Sequence, residues 1–115
     1  MANDFHQKLK IIMNEYVHLV YRVSQNFPRG ELFGTTSQIR RAALSVILNY
    51  IEGYARQRSK VYKNFLEISY ASLKETKYLT HFCLTEKYLN NADYKKLAEL
   101  SDEIGAMLWA TIKKQ

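Results

Sequence analysis

The stretch Thr36–Arg58, TSQIRRAALSVILNYIEGYARQR, decides the fold. Read at three- and four-residue spacing, Ile39, Ala43, Val46, Ile47, Tyr50 and Tyr54 fall on one apolar stripe of a helix. Beside it Gln38, Arg41, Ser45, Asn49, Glu52 and Arg56 form a polar stripe, more ordered than a solvated face requires. Thr36 or Ser37 suits the N-cap, where a hydroxyl accepts from a first-turn amide, and the helix is expected to run to about Arg56. Gly53 inside it costs about 1 kcal/mol relative to alanine, which implies close approach by a neighbouring helix, a local bend, or tolerance near the helix end.

Upstream, Phe5, Leu9, Ile12, Tyr16, Leu19, Val23 and Phe27 keep the amphipathic rhythm until Phe27-Pro28-Arg29-Gly30 breaks it. Downstream, Ser59 is the next cap candidate, and Lys60 to about Leu89 reads as one helix of roughly thirty residues, on the order of 45 Å. Its apolar residues make two adjoining stripes: Val61, Phe65, Ile68, Leu79 and Cys83, then Leu66, Leu73 and Leu84. Asn90-Asn91 forms a turn, and Tyr94, Leu97, Ile104, Leu108 and Ile112 define the last helix. With one proline and four glycines, the chain lacks the turn punctuation of an all-β fold. The expectation is an all-α protein, a single domain over residues 1–115, built as an antiparallel up-down four-helix bundle.

The single cysteine, Cys83, forms no internal disulfide and reads as a small buried hydrophobe beside Leu79 and Phe82. The N-terminus MANDFHQKLK lacks the apolar core of a signal peptide, and no 18-residue apolar run follows, so no membrane partner and a cytoplasmic location are expected. The formal net charge is +6, and residues 1–91 carry all of it: 13 Lys and Arg stand against 7 Asp and Glu there, and 4 against 4 in residues 92–115. An anion-binding surface therefore belongs to the first three helices.

No catalytic seat is visible. A bundle di-iron site needs two Glu-x-x-His pairs, and the chain has one, Glu15–His18, which reads as a solvated face. There is no cysteine pair, glycine-rich phosphate loop or serine-nucleophile elbow. No enzyme, cofactor or metal is expected. The polar stripe has two physical readings. Arg41 or Arg56 paired with Glu52, half-buried, would fix helix register or a subunit contact, with Gln38, Ser45 and Asn49 alongside. Exposed, Arg40, Arg41, Arg56 and Arg58 would meet phosphates. Nine tyrosines, among them Tyr54, Tyr62, Tyr70 and Tyr78, suit core edges, interfaces or base stacking, and the row Tyr70, Lys74, Lys77, His81 defaults to a solvated face.

The run SQIRRAALSVILNYIEG at residues 37–53 resembles the signature of the small bundle proteins encoded in intervening sequences of bacterial 23S ribosomal RNA genes, also called the S23 ribosomal protein family. Phe27-Pro28, Glu31 and Phe33-Gly34 resemble that family's first loop, and Phe65-Leu66 with Ala71-Ser72-Leu73-Lys74-Glu75 its third helix. Ala71 stands where the family commonly has glycine, a change that mildly favours helix. The resemblance implies a four-helix bundle, often assembled as a homopentamer, and a relation to accessory proteins of diversity-generating retroelements, which associate with nucleic acid and a reverse transcriptase. Taken with the charge, it leads to a non-enzymatic homo-oligomeric ring that binds RNA or other nucleic acid with little base specificity through Arg40, Arg56, Arg58 and Lys60. The alternative is a scaffold or accessory subunit whose partner is another protein and whose stripe of Gln38, Arg41, Ser45, Asn49 and Glu52 makes subunit contacts.

Overall fold

The computed structural model describes residues 2–115; Met1, part of the expected single-domain span, lies outside them. It contains four long helices and no strand among the described residues: α1 (Ala2–Ser24), α2 (Thr35–Ala55), α3 (Tyr62–Thr85) and α4 (Asn91–Lys113), with a single 3₁₀ turn at Arg29–Glu31. Each helix packs on its two neighbours in the cycle α1–α2–α3–α4–α1. The α2–α3 seam is the most extensive. Across it Ser45 meets Ser72, Val46 meets Ser69 and Gly53 meets Phe65, so residue numbers rise along α2 where they fall along α3.

Pro28 disfavours helical backbone at Phe27, and α1 stops at Ser24, three residues short of the expected end. Phe27 leaves the helix yet stays buried. Neither Thr36 nor Ser37 caps α2, which begins at Thr35 after Gly34. The cap comes from the loop instead: the Glu31 carboxylate accepts from the Thr35 amide and hydroxyl, a negative group placed against the positive end of a helix.

At the start of α3 the Ser59 hydroxyl is engaged in a turn. It donates to the Arg56 carbonyl at 2.9 Å and accepts from the Val61 amide, and the helix begins at Tyr62. Its end lies at Thr85, where Lys87 adopts a left-handed φ of 65°. The Tyr88 amide then reaches the Cys83 carbonyl and the Lys87 amide the Leu84 carbonyl, the paired bonds of a Schellman ending. At 24 residues α3 spans about 36 Å, not 45. α4 starts at Asn91, inside the expected Asn90-Asn91 turn, with Asn90 as its cap accepting from the Asp93 amide at 2.7 Å.

Leu9, Met13, Tyr16 and Val20 of α1 meet Ile39, Ala43, Val46 and Tyr50 of α2 in the core, completed by Leu66 and Leu73 of α3 and Leu97, Ile104 and Leu108 of α4. Two expected core members are surface residues: Val61 is 43% and Ile68 39% exposed, and Phe5 at the start of α1 is exposed too. The buried seam of α3 is rotated away from Val61 and Ile68 and runs through Ser69, Ser72, Thr76 and Thr80. Such small side chains let α2 come close. Their hydroxyls are satisfied by nearby acceptors: Ser69 donates to the Val46 carbonyl at 2.6 Å, Ser72 bonds Ser45 at 2.7 Å, and Thr76 donates to the Ser72 carbonyl at 2.7 Å. Gly53 completes the seam, because a Cβ there would lie 2.7 Å from the Phe65 Cβ. Close approach, rather than a bend, accounts for this glycine.

Cys83 is fully buried between Leu79 and the chain's turn into α4, and burial, with Glu31 second, pushes its thiol up to about 11. That thiol is protonated and unreactive at neutral pH. No described helix is long and apolar enough to cross a membrane.

Candidate nucleic-acid interface

The sequence from Arg56 to Lys63 holds four cations, Arg56, Arg58, Lys60 and Lys63, and no acid. Its fold keeps them out. α2 ends at Ala55, the Ser59 turn reverses the chain, and all four residues are exposed. Three candidate residues, Arg56, Arg58 and Lys60, thus share one turn at one end of the bundle. Ala55, Arg56, Gln57, Arg58 and Ser59 line a shallow concavity there. Lys63, the second residue of α3, joins them; the acid-free spacing of the run was the signal that extends the group beyond Lys60.

Arg40 does not belong with them. It lies sixteen residues before Arg56 on α2, about 24 Å along the axis. Its Nε donates to the Ser24 hydroxyl at 2.7 Å, and its guanidinium sits 4.9 Å from the centre of the Tyr21 ring. These bonds spend Arg40 on holding α1 to α2, which removes it from the expected cationic group.

The polar stripe of α2 divides into three parts. Ser45 and Asn49 are half-buried at the α3 seam, where Asn49 Nδ2 donates to the Ser45 hydroxyl and carbonyl, both at 2.9 Å. Glu52 pairs with Arg56, one turn on, at 2.8 Å, and both side chains are about half exposed. Gln38 and Arg41 are exposed, and their side chains make no hydrogen bond among the described residues. The alternative pairing of Arg41 with Glu52 is not formed; eleven residues, about 16 Å of helix, separate them. Next to Arg41 the outer face of α2 carries Leu48, 55% exposed, and Ile51, 45% exposed, with half-buried Leu44 beside them.

Glu15 and His18 lie on the rim of an open cleft of about 760 Å³ between α1 and α4. Arg22, Asp93, Lys96 and Glu99 also line it, so cations and carboxylates alternate and give no field of one sign. Among the described residues no three His, Cys, Asp or Glu side chains gather to hold a metal ion.

One histidine sits in a closed setting that spacing did not reveal. His6 stacks on Tyr54 with ring centres 3.4 Å apart, and its Nδ1 lies 2.8 Å from the Tyr50 hydroxyl. Burial first, and Lys10 second, hold this imidazole below its ordinary value of 6.5. Burial also raises the Tyr50 phenol. The trio locks α1 to α2 near the cationic end of α2.

The chain matches the family described as 23S rRNA-intervening sequence protein over residues 7–110. Among solved structures it is similar to a protein of unknown function from the S23 ribosomal protein family of Bacteroides thetaiotaomicron, at 25% identity and a TM-score of 0.80, over 91% of this chain and 98% of that one. No curated protein sequence matches it.

Proposed function

The chain belongs to the 23S rRNA-intervening sequence protein family, and we propose that it acts as a non-catalytic, self-assembling bundle that binds nucleic-acid phosphates through the α2–α3 turn. The observation that carries this reading is the run Arg56, Arg58, Lys60 and Lys63, exposed and free of acids. Guanidinium and ammonium groups on an exposed turn neutralise phosphates without reading bases, so affinity is salt-dependent and sequence preference is low. The falling register of α3 against α2 supports an antiparallel up-down bundle, which places the turn at one end. Copies arranged around an axis, five in the expected pentameric ring, set several such turns on one rim and strengthen the field. RNA is the proposed ligand, with duplex DNA as a weaker competitor.

The test replaces Arg58, Lys60 and Lys63 by glutamate in the full chain and measures affinity for a structured RNA. Binding is expected to fall at least tenfold, since each lost phosphate contact weakens binding at moderate salt. An unchanged affinity in a folded protein of unchanged mass overturns the assignment.

The second reading, an accessory subunit that binds another protein, is favoured by a different observation: Leu48 and Ile51 project beside unpartnered Arg41 and Gln38 on the outer face of α2. That mixture of apolar and unpaired polar groups also suits a contact between copies. Leu48→Glu with Ile51→Glu is expected to lower the mass of the assembly. An assembly of unchanged mass removes this face from the subunit contact.

A further inference from the structure

Lys63, Tyr70, Lys74 and Lys77 recur at spacings of seven, four and three along α3 and so share one longitudinal stripe. From Tyr70 to Lys77 the stripe borders α4. The Tyr70 ring lies 5.8 Å from the Trp109 ring at 39°, the Lys74 ammonium sits 5.1 Å from the centre of the Tyr70 ring, and Lys77 reaches Asp102 at 3.0 Å. Between the helices these side chains edge a groove of about 230 Å³ floored by Leu73 and Gly105. The glycine keeps the floor low: a Cβ on it would stand 3.4 Å from a Leu73 methyl. Trp109 is 52% exposed, an uncommon placing for the largest apolar side chain of a small protein.

The chemistry of the groove selects its guest. Two aromatic faces alone would suit a cation. Lys74 and Lys77 stand on the same rim and repel one, and Asp102 offsets only Lys77. What fits is a flat ring that carries negative charge beside it. Stacking on an aromatic side chain asks only for an unpaired base, with phosphates held by flanking cations. Lys63 lies seven residues from Tyr70, about 10 Å along α3, so it stands on the same stripe between the groove and the α2–α3 turn.

We propose that the Tyr70–Trp109 groove stacks unpaired bases of a single-stranded nucleic acid whose phosphates run from the cationic α2–α3 turn along Lys63 and Lys74. This inference rests on the phosphate-binding reading above and adds the partner's form: a strand whose bases are unpaired.

Trp109 is the chain's one tryptophan, so its fluorescence reports the groove directly. The intact, nuclease-treated protein is titrated with an oligothymidylate and with an abasic phosphodiester of equal length, while anisotropy follows Trp109→Ala and Tyr70→Ala. The expected result is quenching by oligothymidylate alone, and a loss of about tenfold in its affinity in either variant with abasic binding unchanged. Equal binding of both strands without quenching overturns the stacking site and leaves the phosphate reading standing. Failure of both strands to bind overturns the stacking site, and the phosphate reading falls with it only where a structured RNA fails to bind as well. An equal loss for both strands in Trp109→Ala, or a change in its mass, assigns Trp109 to folding or assembly and also overturns the site.

Discussion

Gly53 of α2 faces Phe65 of α3 so closely that a Cβ on the glycine would lie 2.7 Å from the Phe65 Cβ. Both atoms are fixed to their backbones, so no rotamer change relieves the clash. Gly53→Ala gains about 1 kcal/mol of helix propensity but forces the helices apart, an overpacking cost of about 1–3 kcal/mol. The expected net effect is destabilisation, a fall in Tm of about 4 °C per kcal/mol lost. A rise in Tm would mean that the seam is looser than this contact requires.

Lys87 holds a left-handed φ of 65° at the C-terminal end of α3. A side chain there costs about 1 kcal/mol that glycine avoids. Lys87→Gly is therefore expected to raise stability by about 0.5–1 kcal/mol in urea denaturation. An unchanged or lower midpoint contradicts the left-handed ending.

His6, buried against Tyr54 and bonded to Tyr50, has its imidazole held below 6.5. The unfolded chain takes up its proton first, so this contribution to stability is complete above about pH 6.5 and declines as pH falls through 6.5 towards the folded value. Tm measured between pH 8 and pH 5 is expected to fall less in His6→Phe, which keeps a ring on Tyr54, than in the natural protein. Identical slopes would exclude His6 as the source.

Glu52 and Arg56 form an exposed pair one turn apart. Such pairs contribute about 0.2–0.5 kcal/mol, so Glu52→Gln should barely change stability. It also frees Arg56 at the edge of the cationic turn, and RNA affinity is expected to rise about twofold, the equivalent of that energy. A stability loss above about 1 kcal/mol, or smaller assemblies, would instead place Glu52 in a buried subunit contact.

Helix existence was legible throughout, and for a common reason. Leu97, Ile104, Leu108 and Ile112 are apolar at helical spacing and all four are buried. Boundaries failed where a hydroxyl had two uses: Ser59 closes a turn and does not cap α3, and Glu31, not Thr36 or Ser37, caps α2. The α3 seam was hidden because Ser69, Ser72 and Thr76 read as polar, although acceptors close by satisfy their hydroxyls. Of the candidate cations, Arg56, Arg58 and Lys60 share a turn that adjacency in sequence implies. Arg40 faces α1, and its distance from the others follows from helix length, which residue type does not encode. No local pattern joins Tyr70 to Trp109, thirty-nine residues apart.

The central claim is that the assembled bundle binds phosphates through the α2–α3 turn. Its most direct test is RNA affinity across a salt series for the natural protein and for Arg58→Ala with Lys60→Ala and Lys63→Ala, with mass followed by light scattering. The expected result is a linear fall of log affinity with log salt, shallower in the variant by about 2–3 units per engaged turn. No binding at low salt by an intact assembly, or equal slopes for the two proteins, would contradict it.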